Sequence, residues 1–113
     1  MVKVVLASIL VAVALFGVIH ASDLILGNIQ SDDRILKSQG YAAAGIVNRN
    51  VSTIVSHNAV LNITAIRAYD RSFNRTGRAS LVSGGIGQRN VSILLQGSRV
   101  GVGFDYLVEI YGR

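Results

Sequence analysis

The sequence predicts an all-β protein, either a small antiparallel sandwich or an open barrel. Apolar and polar residues alternate along most of the chain, glycine clusters separate the alternating runs, and no long segment has the 3.6-residue period of a helix. The 113 residues provide room for one small domain. The chain has no cysteine, which excludes a disulfide scaffold, a thiolate metal site and a cysteine nucleophile.

The N-terminus predicts a cleavable secretory signal peptide over residues 1–21. Lys3 precedes an apolar run over residues 4–19, and Ile19 and Ala21 provide the aliphatic and small residues expected at positions −3 and −1 of the cleavage site. A transmembrane anchor is the competing interpretation, but a span needs about 20 apolar residues and this run is shorter. We therefore expect a secreted protein whose mature chain has no membrane span.

The remaining residues, 22–113, are expected to form a single β-rich domain with a net charge of +4, since cleavage removes one lysine from the total of +5. Predicted strands cover residues 24–29, 41–47, 51–57, 60–69, 79–82, 91–96 and 104–110. The clearest alternation puts Val91, Ile93 and Leu95 on one face of their strand. Residues 32–38 are the only segment that predicts a short helix.

Glycine provides the turns because the chain contains no proline. Residues 83–90 predict a turn between two strands, and residues 98–103 predict the connection to the last strand. Gly85 and Gly87, like Gly101 and Gly103, do not complete a dinucleotide-binding glycine motif. The sequence therefore predicts no nucleotide cofactor, and no other cofactor is implied.

Four Asn-x-Ser/Thr triplets are candidate N-glycosylation sites, whereas the composition of residues 22–113 predicts about one by chance. The acceptor residues are Asn50, Asn62, Asn74 and Asn90. Their number supports the secretory route independently of the N-terminus. Asn74 is the favoured acceptor because it lies in a predicted turn.

Four arginines surround a predicted hairpin turn at residues 68–74 and are candidates for an anion-binding or partner-binding surface. They are Arg67, Arg71, Arg75 and Arg78. The guanidinium group suits phosphate and sulfate, so the functional interpretation is a surface that binds an anionic glycan or a protein. The competing interpretation is a solvated turn that keeps a basic protein soluble. The modest net charge and the lack of aromatic clusters argue against direct nucleic-acid binding.

The sequence offers no assembled catalytic or metal site. His57 is the sole histidine of residues 22–113, so no second imidazole accompanies it and a structural role is expected. Serines are frequent, but no nucleophile-elbow motif occurs. A non-enzymatic protein is therefore expected, with a secreted hydrolase as a minor alternative.

The chain resembles the arthropod family of multiprotein bridging factor two and the probable salivary secreted peptides. The matching segments are residues 33–36, 63–70, 84–87, 91–93, 98–104 and 110–112, which include a turn signature of Gly84, Gly85, Gly87, Gly101 and Gly103. Ile86 departs from the pattern, because many relatives have proline there. The resemblance implies no catalytic residue.

This resemblance implies two functions that require different compartments. Most members are small secreted proteins, which implies an extracellular binding module that presents its loops to a partner. The alternative is a transcriptional co-activator that links a DNA-bound nuclear-receptor-type factor to the general transcription machinery. The predicted signal peptide favours secretion. Unpaired strand edges in a chain without disulfides leave a homo-oligomer open.

Overall fold

The structure is a computed structural model that describes residues 22–113; the predicted signal peptide, residues 1–21, lies outside the described residues. The described chain contains seven strands. They are β1 (Leu24–Gly27), β2 (Arg34–Ala43), β3 (Ser52–Asn58), β4 (Ile63–Asp70), β5 (Gly77–Gly84), β6 (Asn90–Gly97) and β7 (Phe104–Gly112). From residue 22 onward no helix is long and apolar enough to cross a membrane.

The strands form two antiparallel sheets, one of four strands in the order β1-β4-β7-β2 and one of three in the order β3-β6-β5. The predicted all-β fold is thereby confirmed, and two separate sheets make it a sandwich. Only β5 and β6 follow each other as a hairpin, whereas the connections β2–β3, β3–β4, β4–β5 and β6–β7 pass from one sheet to the other.

The core lies between the inner faces of β4 and β7 on one side and β6 on the other. Along β7 every second residue is buried, from Phe104 through Tyr106 to Ile110, and Ile93 and Leu95 of β6 are fully buried opposite them. Each such side chain contributes about 1.5–3 kcal/mol when it leaves water. Because the chain has no cysteine, these apolar faces hold the sheets together.

The short helix predicted over residues 32–38 is wrong, because Arg34–Ala43 is a strand paired with β7 along its whole length. The pairing register shifts between Ile35 and Lys37, so Leu36 is an extra residue that breaks the two-residue period. Leu36 packs against the core while Ile35 is 61% exposed. Contacts with β7, far away in the sequence, decide the conformation here.

Candidate interaction surfaces

Three connections lie together at one end of the sandwich, which we call the arginine end: residues 44–51, 71–76 and 98–103. Backbone hydrogen bonds join them, from the amide of Gly101 to the carbonyl of Arg49 (2.9 Å) and from the amide of Ser98 to the carbonyl of Thr76 (2.7 Å). The connections 28–33, 59–62 and 85–89 lie at the opposite end, which we call the glycine end. Loops on a rigid scaffold are the usual place for partner contacts.

The hairpin predicted around residues 68–74 is wrong, because β4 belongs to the four-stranded sheet and β5 to the three-stranded sheet. Residues 71–76 therefore carry the chain from one sheet to the other. Asp70, the last residue of β4, organises this crossing. Its side chain is 2% exposed and accepts hydrogen bonds from the amide of Ser72 (2.9 Å), the hydroxyl of Ser72 (2.5 Å) and the amide of Gly77 (3.0 Å).

The charge of Asp70 is maintained by these donors. Burial by itself raises the pKa of Asp70, but the hydrogen bonds from Ser72 and Gly77 outweigh burial, so the pKa lies below its ordinary value. The carboxylate is therefore ionised at neutral pH and works as an acceptor for backbone amides.

Tyr106 of β7 completes this buried polar group. Its hydroxyl donates a hydrogen bond to the backbone carbonyl of Ser22, and burial raises the pKa of the hydroxyl above its ordinary value. A Cβ atom on Gly77 would lie 2.6 Å from a ring carbon of Tyr106, so only glycine fits against the ring. Apart from the hydroxyl of Ser72, the partners of these polar atoms are backbone groups, which gives the atoms a structural role.

Arg67 is buried, so its prediction as part of a partner-binding surface is wrong. The residue is 9% exposed, and its guanidinium donates to the backbone carbonyls of Leu26 (2.7 Å), Ile66 (3.0 Å) and Gly27 (3.1 Å). Leu26 and Gly27 belong to the edge strand β1, whose carbonyls the guanidinium satisfies. Arg67 therefore holds β1 against β4.

The other three predicted arginines are exposed at or beside the arginine end. Arg71 forms an ion pair with Asp105 (3.1 Å), and Arg75 forms one with Asp23 (3.4 Å). Arg78 lies opposite Gln96 on the outer face of the three-stranded sheet. The structure does not bring all four arginines together. Arg67 is buried, and Arg71 contacts Asp105 on the outer face of the four-stranded sheet, whereas Arg78 lies on the outer face of the three-stranded sheet.

All four candidate acceptor asparagines are exposed, two at each end of the sandwich. Asn50 and Asn74 belong to the arginine end, and Asn62 and Asn90 to the glycine end. None is part of the core, so a glycan on any of them would project into solvent.

The glycine signature is divided between the two ends. Gly84, Gly85 and Gly87 have φ values of 73°, 129° and 84° in the β5–β6 hairpin, where a side chain would be strained. The amide of Gly87 donates to the carbonyl of Ile63 (2.8 Å) and so fastens this hairpin to the opposite sheet. Gly101 and Gly103 lie at the arginine end, so the signature serves turns rather than one ligand site.

Two clefts accompany these ends. One of about 350 Å³ lies at the glycine end and is lined by Asn28, Gln30, Asn62, Thr64 and Arg113 among others. The second, of about 400 Å³, lies between the edge strands β2 and β3. Among the described residues, no group of three His, Asp or Glu side chains could hold a metal ion.

Sequence reasoning missed the group formed by Asp70, Gly77 and Tyr106. No motif of the sequence singles out Asp70 or Gly77 as part of a buried polar group. The one available signal was an aspartate at the end of a strand followed by Ser72, a pattern typical of a side chain that binds the backbone of the next turn.

Comparisons with known proteins agree with the motifs. A sequence model of the family described as "Transcription activator MBF2" matches residues 26–112, which include β2 to β7 in full. A protein of Bombus ignitus named "Probable salivary secreted peptide" is 34% identical over 98 residues, covering 80% of this chain and 69% of that protein. No solved structure matches the chain.

Proposed function

The chain belongs to the MBF2 family, and on that premise we propose that it is a small secreted protein of the salivary secreted peptide type. It acts without catalysis, as an extracellular module whose rigid sandwich presents its end loops to a partner. The observation that carries secretion is the exposure of all four acceptor asparagines. The name of the Bombus ignitus relative supports the same compartment.

Secretion is tested by expressing the full chain in insect cells and analysing the medium by mass spectrometry. We expect an N-terminus at Ser22 and a shift in gel mobility after amidase treatment. Replacing the four asparagines by glutamine should abolish the shift without unfolding the domain, because all four side chains are exposed. Recovery of an unglycosylated chain with intact Met1 from nuclei would overturn the proposal.

That opposite result is the one expected for the second candidate function, a transcriptional co-activator. The family description, "Transcription activator MBF2", favours it. This function needs a chain that stays in the cell and reaches the nucleus. A chain found only in the medium would exclude it.

The arginine end is the proposed contact surface, with an anionic glycan or an acidic protein surface as the partner. Arg71, Arg75 and Arg78 support this proposal because all three are exposed, Arg71 and Arg75 in the connection at this end and Arg78 just beyond it in β5. Arg67 is left out because it is buried. The ion pair between Arg71 and Asp105 is about half exposed, so this guanidinium group can exchange Asp105 for an external anion at little cost. Arg75 is more constrained, because it also donates a hydrogen bond to the backbone carbonyl of Asp70 and its partner Asp23 is largely buried.

We predict that changing Arg71, Arg75 and Arg78 together to serine lowers the salt concentration at which the protein elutes from a heparin column. The matched control changes Arg34, Lys37 and Arg89 to serine, which removes the same charge from other parts of the sandwich. Equal loss in both variants would indicate a non-specific charge effect. A wild-type protein that is not retained would exclude the glycan partner.

A further inference from the structure

The edges of the two sheets are not equally protected against pairing with another chain. Exposed edge strands are usually blocked by charge, by a bulge or by short length. Among the described strands, β1 has only four residues, β2 carries Arg34 and Lys37 with a register shift at Leu36, and β5 carries Arg78 with a shift between Leu81 and Ser83.

β3 is the exception among these edges. It pairs with β6 over seven residues without any register shift, and it contains no Lys, Arg, Asp, Glu, Gly or Pro. Ile54, next to its middle residue Val55, is 61% exposed on the outer face. A regular, uncharged edge of this length is open to pairing with another strand.

The hydrogen bonds of β3 show which of its backbone groups are available. At one end the amide of Gly97 donates to the carbonyl of Val51, and just beyond the other end the amide of Ala59 donates to the carbonyl of Arg89. Because bonding pairs alternate along an antiparallel ladder, the odd-numbered residues of β3 turn their backbone groups toward β6. The outward groups belong to the even-numbered residues Ser52, Ile54, Ser56 and Asn58.

We propose that β3 pairs with β3 of a second copy of this chain, antiparallel, across a two-fold axis at Val55. This register places Ile54 opposite Ser56 of the second copy and Ser52 opposite its Asn58. The residues whose backbone groups point away from β6 in one copy therefore pair with the same kind of residue in the other. The two three-stranded sheets then become one continuous six-stranded sheet. The inference concerns assembly and does not depend on the proposed function.

Two observations favour a second copy as the occupant. β3 itself has no Lys, Arg, Asp or Glu, and the lining of the cleft beside it, which includes Tyr41, Thr53 and Phe104, contains no charged side chain. Lys37 of β2 lies over the ring of Tyr41 at 5.8 Å, but the paired β3 strands themselves meet without like charges facing each other. In the same register Thr53 lies opposite His57 of the second copy, which brings the partner's inward-facing side chains to this cleft. The pairing also closes on itself, because it uses the one edge that is unprotected among the described strands of each copy.

The proposal is tested by sedimentation equilibrium at micromolar concentrations, which measures the mass of the assembly. The full chain is expressed, and its product is purified from the compartment that contains it and treated with amidase to remove any glycan. We expect two chains for the wild type. The double variant Ile54→Lys with Ser56→Lys should raise the dissociation constant of the dimer more than about tenfold, because positive charges then face each other on both sides of the two-fold axis. The matched control, Ser80→Lys with Val82→Lys on β5, should remain dimeric. A monomeric wild type, or equal dissociation in both variants, would overturn the proposal.

The register is tested separately by cross-linking, which the absence of cysteine makes simple. A mixture of Ile54→Cys and Ser56→Cys chains should form a disulfide-linked dimer under mild oxidation more readily than either variant alone, because these positions face each other across the axis. Both side chains are exposed, so the variants should fold. A mixture of Ser80→Cys and Ser56→Cys chains is the control. If the Ile54→Cys and Ser56→Cys mixture cross-links no faster than this control, the proposed pairing is contradicted.

Discussion

At the scale of single residues, buried polar groups decide how the chain passes between the sheets. The carboxylate of Asp70 binds the amides of Ser72 and Gly77 and thereby starts and ends the connection from β4 to β5. Arg67 similarly satisfies the carbonyls at the end of β1. Each group offsets its own desolvation by bonding backbone atoms that would otherwise be buried without partners.

We predict that Asp70→Asn destabilises the protein by about 1–3 kcal/mol at pH 7, because the amide cannot accept all of the hydrogen bonds that the carboxylate accepts. The folded-state pKa of Asp70 is below its ordinary value, so its contribution is present above that value and is lost as the pH falls through the folded-state pKa. The difference between wild type and variant should therefore shrink in acid.

Urea unfolding at pH 7 and at pH 3 measures both effects. Asp32→Asn is the control, because that carboxylate is exposed and its ion pair with Arg113 contributes little. A constant difference between Asp70→Asn and wild type at the two pH values would contradict the role assigned to the Asp70 charge.

At the scale of elements, the position of a strand in its sheet decides what its side chains contribute. β6 lies at the centre of its sheet and buries Val91, Ile93 and Leu95, whereas β3 at the edge buries only Val55. β6 alternates more clearly than β3, in which the adjacent apolar residues Ile54 and Val55 put one apolar side chain on each face. The sheet order adds to this difference, because a central strand has neighbours along both edges and an edge strand has only one.

We predict that Ile93→Ala lowers the free energy of unfolding by about 2–5 kcal/mol, because it leaves a cavity between the sheets. Ile54→Ala should change it by about 0.5 kcal/mol or less in dilute solution, where its exposed side chain has few contacts to lose. Chemical denaturation of the two variants in parallel measures the contrast. Equal losses would show that Ile54 is covered in the isolated chain.

At the scale of the whole molecule, four of the six connections pass from one sheet to the other. Folding must therefore bring together segments that are far apart in sequence, such as β2 with β7 and β3 with β6. Sandwiches with such connections typically fold in milliseconds to seconds. The absence of proline removes the commonest cause of slower steps.

We predict that refolding has no kinetic phase of tens of seconds. Stopped-flow tyrosine fluorescence after dilution from urea monitors this refolding. The sequence contains no X-Pro bond, so time spent in the unfolded state should not change the amplitude or the rate. A double-jump experiment with short and long unfolding times checks this directly. A slow phase that grows with the unfolding time would contradict it.

Much of the fold follows from local sequence patterns, because alternation and glycine act over a few residues. The two-residue period located β6 and β7, and Gly84 to Gly87 predicted the one hairpin. The family motifs were also readable without coordinates. Candidate surface residues were harder to predict, since Arg71, Arg75 and Arg78 are exposed while Arg67, of the same type and in the same segment, is buried.

The sequence by itself determined the all-β class, the β5–β6 hairpin turn and the family, because these depend on neighbours along the chain. The tertiary structure alone decided that Arg34–Ala43 is a strand, that Asp70 and Tyr106 share a buried polar group, and that β3 is the unprotected edge. Those outcomes depend on pairing between residues far apart in sequence. Burial and backbone pairing across that distance outweigh the local preferences of the residues involved.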